Sequence, residues 1–187
     1  MIVRMVSTDY YNIGEDVWHK GPDLCEARDS HSSCALGSNL FVFGGLEVRN
    51  ASKASIEYID FKAYLRGNIA AWQLVNQDLE ARYDTILVPL NTHELLIFGG
   101  KKGSVDFGEN ERANTLDSYT IFDTSTNEVE RFTDIGLKVS GWMNQSVKGR
   151  DGQAIALVFG SDSSYQDGTV LLVQRDSEHL QEFTLEQ

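Results

Sequence analysis

Four histidines (His19, His31, His93 and His179) and two cysteines (Cys25 and Cys34) are the first residues to test for chemistry. No histidine stands at a ligand spacing such as His-x-x-x-His from another, and no Cys-x-x-Cys occurs, so the spacing gives no metal site. Cys25 and Cys34 flank His31, but Cys34 lies in an apolar-leaning stretch, where a cysteine acts as a small hydrophobe. His93, within Asn91-Thr92-His93-Glu94, reads as a hairpin-turn residue. Carboxylates gather at Asp9, Glu15 and Asp16, at Glu109 and Glu111, and at Asp162 and Asp167. Facing carboxylates can cleave glycosidic bonds, but these fall in turn-like segments, where they cap and solvate. The chain has no Gly-x-Ser-x-Gly elbow. Gly99-Gly100-Lys101-Lys102-Gly103 lacks the spacing and the Lys-Ser/Thr ending of a phosphate loop. No catalytic residue, metal or cofactor is assigned.

A different signal comes from the loops that follow paired glycines. Lys101 to Leu116 is long and charged and carries Lys101, Lys102, Phe107 and Arg112; Leu46 to Ser55 carries Arg49; Ser161 to Gly168 carries Tyr165. Aromatic and arginine side chains on loops held by a rigid scaffold are the usual anchors of protein recognition. Lys101, Lys102, Phe107 and Arg112, then Arg49 and Tyr165, are the candidate partner-binding residues.

The elements that must position these loops recur. Leu40-Phe41-Val42-Phe43-Gly44-Gly45 and Leu95-Leu96-Ile97-Phe98-Gly99-Gly100 are two copies of an apolar run ending in Gly-Gly, and Ile155 to Ser161 is a worn third. Glu26-Ala27-Arg28 and Glu80-Ala81-Arg82 precede the first two copies. Downstream, Tyr11 pairs with Trp18, Ile59 with Trp72 across extra residues, Phe122 with Val129, and Val173 with Leu180. Asp60 and Asp123 follow their apolar partners, and Asp16 and Asn127 sit in the turns. Self-similarity at such a period means a repeat architecture. Short runs of Val, Ile, Phe, Leu and Tyr between turn residues predict four-stranded antiparallel units. The apolar runs predict strands buried on both faces, and the paired glycines predict unusual backbone or close approach of a neighbouring chain. Trp18 and Trp72 are expected to fill gaps between units. Ile69 to Tyr83 has an alternative reading as a short amphipathic helix, but the repeat register places Trp72 on an outer strand.

Gly44 and Gly45 with Trp72, Gly99 and Gly100 with Phe122 and Val129, Tyr11 with Trp18, and Arg28-x-x-His31 together resemble the kelch repeat. Val129 and Leu180 depart from its tryptophan, Ile59 and Val173 from its aromatic, and Gly160-Ser161 from its double glycine. The resemblance implies an all-β fold, a β-propeller segment of four-stranded antiparallel blades in an incomplete ring. The expected division is a half blade at 1–23 and blades at 24–76, 77–135 and 136–187. Propellers close with about four to eight blades, so the chain is expected to be a piece of a larger ring or one half of a homodimeric one. The resemblance further implies a non-catalytic protein-interaction module or scaffold. A metal-dependent enzyme similar to galactose oxidase and a structural piece of a large assembly are the alternatives.

Composition narrows the partners. The formal net charge is −12 over 187 residues, which disfavours nucleic acid and anionic membranes, since both require clustered cations. No apolar stretch approaches membrane-helix length. The first residues show no targeting signal. Two cysteines make no disulfide framework, and a cytoplasmic location is expected.

Overall fold

A computed structural model describes residues 5–47, 51–68, 71–75, 77–103 and 114–133 with their side chains, and the backbone of four further strands between residues 141 and 184. The fold is all-β, with one short helix among the described residues. A hairpin of β1 (Asp9–Asn12) and β2 (Val17–Lys20) comes first. Then β3 (Ser32–Leu36), β4 (Asn39–Phe43), β5 (Ile56–Asp60) and β6 (Gln73–Val75) form a four-stranded antiparallel sheet in chain order, with α1 (Phe61–Leu65) between β5 and β6. The second four-stranded sheet comprises β7 (Ile86–Pro89), β8 (Glu94–Phe98), β11 (Tyr119–Asp123) and β12 (Val129–Phe132). A small ribbon of β9 (Lys101–Lys102) and β10 (Asn114–Thr115) lies within its β8–β11 connection. The last strands are two antiparallel pairs, β13 (Gly141–Lys148) with β14 (Ala154–Gly160) and β15 (Leu171–Arg175) with β16 (Leu180–Thr184).

The two four-stranded sheets repeat one register. Val42 opposes Glu57 in the first, and Ile97 opposes Thr120 in the second. Tyr11 opposes Trp18 in the leading hairpin, as Phe122 opposes Val129. Asp16 and Asn127, two residues before Trp18 and Val129, both take left-handed backbone (φ 57° and 62°). These are turn residues whose short polar side chains tolerate that region.

The inner strands are buried on both faces, as their unbroken apolar runs require. Phe41 and Phe43 of β4 meet Leu87, Leu95, Ile97 and Phe122 between the sheets. Val42 faces the other way, onto Leu24, Ile59 and Trp72. Leu96 and Phe98 of β8 join Ile86, Val88, Tyr119 and Ile121 on the far face of the second sheet. Each such side chain contributes about 1.5–3 kcal/mol of burial, so the packing between sheets outweighs any single polar contact.

Four placements differ from the sequence reading or refine it. The extra residues between Ile59 and Trp72 form α1, N-capped by the Asp60 carboxylate, which accepts from the Ala63 amide at 2.8 Å. Trp72 is buried but stands one residue before β6, and its indole N–H donates to the Pro22 carbonyl at 3.0 Å. The stretch read alternatively as a helix instead holds β6, and Leu79 drops into the intersheet cluster. Trp18, expected to fill a gap, is 69% exposed.

Candidate interaction surface

The loops after the paired glycines are set by the backbone on which they start. Gly44, Gly45, Gly99 and Gly100 all have positive φ, between 58° and 93°. A Cβ on Gly44 would come closer than 3.0 Å to the Arg82 carbonyl oxygen, and one on Gly45 would crowd the Asp29 carbonyl oxygen as closely. The room is used by a hydrogen-bonded seam. The Gly45 amide donates to the Arg82 carbonyl at 2.8 Å, the Arg82 amide to the Lys53 carbonyl at 2.9 Å, and the Asp84 amide to the Ser30 carbonyl at 3.0 Å. The Ser32 hydroxyl donates to the Thr85 carbonyl. The glycines therefore join the first sheet to the second as well as turning the chain.

Each loop is clipped at its base by a buried arginine. Arg28 Nη1 donates to the Gly44 carbonyl at 2.7 Å and the Ser55 carbonyl at 3.3 Å, and its Nη2 reaches Ser55 Oγ at 3.0 Å. Arg82 Nη1 donates to the Gly99 and Ser118 carbonyls, both at 2.9 Å, and its Nη2 to Ser118 Oγ at 2.9 Å. A guanidinium fork suits this task because its donors are fixed in one plane. Arg28 spans the start and end of the loop between β4 and β5, and Arg82 does the same between β8 and β11. The recurring Glu-Ala-Arg carried this signal, but the serines that complete each clip are visible only once the strands are paired.

The glutamates of the same motif flank the forks. Glu26 Oε2 lies 3.3 Å from Arg28 Nη2 and 3.2 Å from Lys53 Nζ. Burial works to raise the Glu26 pKa, but hydrogen bonds from Ser55 and Lys53 and the charges of Lys53 and Arg28 outweigh it and hold it below its ordinary value. Glu80 Oε2 accepts from Arg82 Nη2 at 2.9 Å. Burial pushes the Arg82 pKa down against the pull of Glu80.

Two of the candidate binding residues lie in this frame. Lys101 exchanges backbone hydrogen bonds with Tyr83 (3.0 and 2.8 Å), and its ammonium stands 3.7 Å from the Asp84 carboxylate. Lys102 is exposed and its Nζ is 3.0 Å from Glu80 Oε1, which ties it to the Arg82 clip. Phe107, Arg112, Arg49 and Tyr165 lie outside the described residues. The two loops nevertheless meet. The Ser52 amide donates to the Gly103 carbonyl at 3.0 Å, and the Gly103 amide donates to Ser52 Oγ at 3.3 Å.

The thiols are chemically quiet. Burial pushes Cys34 up to about 12. Cys25 is raised by burial and then by the nearby Glu57 and Glu26 carboxylates, with Arg28 opposing. A thiol that stays protonated is a poor nucleophile and metal ligand.

One grouping was invisible in the spacing: ligand atoms of His93, Glu94 and Asp123 all lie within 4.8 Å of one another. It forms where the β7–β8 turn meets the β11–β12 turn, with the Thr124 amide and hydroxyl both donating to the His93 carbonyl (2.7 and 2.8 Å). Asp123 Oδ1 accepts from the Ser125 amide (2.7 Å), the Ser125 hydroxyl (2.6 Å) and the Thr126 amide (3.0 Å). These bonds, with the His93 charge adding least, hold its pKa down at about 2 against desolvation, which raises it. The arrangement staples two turns.

No helix among the described residues is long and apolar enough to cross a membrane. No family model matches the chain, and none of the curated proteins does.

Proposed function

We propose that this chain is a non-catalytic protein-interaction module, a segment of a kelch-type propeller. It recognises a protein partner through the loops after its paired glycines. The observation that carries this reading is the hydrogen-bonded junction of Ser52 with Gly103 above two arginine clips. Two loops of unlike length and sequence thereby leave a stiff double-sheet base as one surface, the arrangement by which scaffolds present binding residues. Lys102 offers an exposed cation at that junction, and Phe107, Arg112, Arg49 and Tyr165 belong to the same three loops. Completion of the ring by a second copy of this chain is the less favoured form of the proposal. The β1–β2 hairpin matches the outer pairs of the larger sheets, and two outer pairs set together do not reproduce the inner-and-outer order of a four-stranded sheet.

The test is quantitative affinity capture and isothermal titration with the partner so obtained, comparing the native chain with a Phe107→Ala/Arg112→Ala variant. A loss of about tenfold or more in affinity with an unchanged melting temperature is expected. Unchanged binding, or a melting temperature that falls in parallel with binding, overturns the reading.

A further inference from the structure

The connections after the glycines occupy one end of the sheets. The tight β3–β4 turn, α1 and the β1–β2 turn occupy the other, because antiparallel strands alternate their connections between ends. The Phe61 amide donates to the Ser38 carbonyl at 3.0 Å, which fixes α1 against the β3–β4 turn. Tyr10 then packs its ring edge-on to Phe61, with centroids 5.2 Å apart, while its face stacks on His19 at 5.1 Å. Together these elements border a cleft of about 570 Å³, walled by Ile13 and Leu65.

Three properties of this cleft point to a ligand. It is built by an insertion: the second sheet makes the equivalent connection with a short turn and no helix. It is bordered by exposed apolar side chains, since Tyr11, Ile13 and Leu65, three of the seven large hydrophobic residues exposed among the described residues, line it. Contiguous apolar exposure of this kind marks interaction sites. Its charge is one-sided: among the residues lining it, Glu15 is the single permanently charged group, and no lysine or arginine lines it. The Glu15 carboxylate is exposed on the lip and is held 2.9 Å from His19 Nε2.

From this geometry we infer that the cleft receives an arginine side chain of a partner protein, flanked by apolar residues. A guanidinium stacks on aromatic faces and pairs in-plane with a carboxylate. Here Glu15 supplies the carboxylate, Tyr10 and Phe61, stacked on His19 and Tyr64, form an aromatic floor, and Ile13 and Leu65 receive the partner's apolar neighbours. The net charge of −12 favours the approach of a basic segment. This site lies at the opposite end from the loop surface and stands independently of it.

The probe is the peptide acetyl-Leu-Arg-Leu-amide, titrated into the full 187-residue chain and followed by amide NMR shifts, with the citrulline peptide as its uncharged isostere. Shifts are expected at residues 10–19 and 61–65, with the citrulline peptide binding about tenfold more weakly. Glu15→Gln, on an exposed side chain, is expected to weaken the arginine peptide about five- to tenfold and leave the citrulline peptide unchanged. Leu65→Ala should weaken both, and Phe107→Ala/Arg112→Ala should change neither. Equal affinity for the two peptides overturns the inference. So does an arginine affinity indifferent to Glu15→Gln, or the absence of any shift at about 10 mM peptide, a concentration that would reveal even millimolar binding.

Discussion

The two four-stranded sheets share register, glycines and clip, yet they neutralise the buried arginine differently. In the first, Arg28 Nη2 meets the Glu57 carboxylate at 2.5 Å, and both side chains are wholly buried. Glu57 also accepts from the Cys25 amide at 2.6 Å and the Glu26 amide at 3.1 Å, so both of its oxygens are satisfied, while Arg28 Nε is buried without a hydrogen-bond partner. In the second sheet the matching position is Thr120, opposite Ile97 as Glu57 is opposite Val42. Arg82 is left with Glu80, whose side chain is 28% exposed, and burial lowers its pKa. The first sheet thus stakes its stability on a buried ion pair. The second uses neutral acceptors and a carboxylate that water still reaches. The loop geometry is the same in both, which shows that the carbonyl and serine contacts define the clip and the buried carboxylate is an addition to it.

The same substitution in both sheets breaks the comparison most sharply. Arg28→Met leaves Glu57 as a buried carboxylate without its cation, a change that costs about 3–5 kcal/mol. Arg82→Met removes four hydrogen bonds but strands no buried charge, because Glu80 turns to solvent; about 1–3 kcal/mol is expected. Urea unfolding of the two variants measures the difference. Equal losses would mean that Glu57 adds nothing beyond the clip. A second test concerns the seam. Gly45→Ala must bear both left-handed strain, about 1–2 kcal/mol, and displacement of the Asp29 backbone, about 1–3 kcal/mol more. Gly37→Ala, at φ 65° with open space around it, should show the strain alone.

Much of this architecture was legible in the sequence, for physical reasons. Unbroken apolar runs must be buried on both faces, and Phe41, Val42, Phe43 and Leu95 to Phe98 are. Gly-Gly at a strand end signalled close approach, and the Arg82 and Asp29 carbonyls are what approach. Other features depend on register and so were hidden. Glu57 carries no mark in the sequence, and only strand pairing places it beside Arg28. His93 and Asp123 meet only because two turns from separate hairpins abut. The five-residue helix α1 is too short for any periodicity to reveal, and its one local sign was Asp60 ahead of it. Trp18 matched the repeat in type, yet it packs beside Tyr11 of its own hairpin and stays 69% exposed. Four of the six candidate loop residues lie outside the described residues.

Asp60 and Asp123 sharpen the comparison at the smallest scale, because equivalent residues close different connections. Asp60 caps α1 through a single amide, and Asp60→Ala is expected to cost about 1 kcal/mol. Asp123 gathers three donors and faces His93, with its pKa held down at about 2 from the usual 3.8. Its folded value lies below its unfolded one, so ionised Asp123 favours the folded state. That contribution is complete above about pH 4 and is lost as the pH falls through about 2. Asp123→Asn should therefore lower the urea midpoint near neutral pH and converge on the native chain in strong acid. The sign follows from the direction of the shift alone. A variant whose deficit persisted undiminished to the lowest pH at which the chain stays folded would show that the turn depends on the shape of the side chain, and that its charge is incidental.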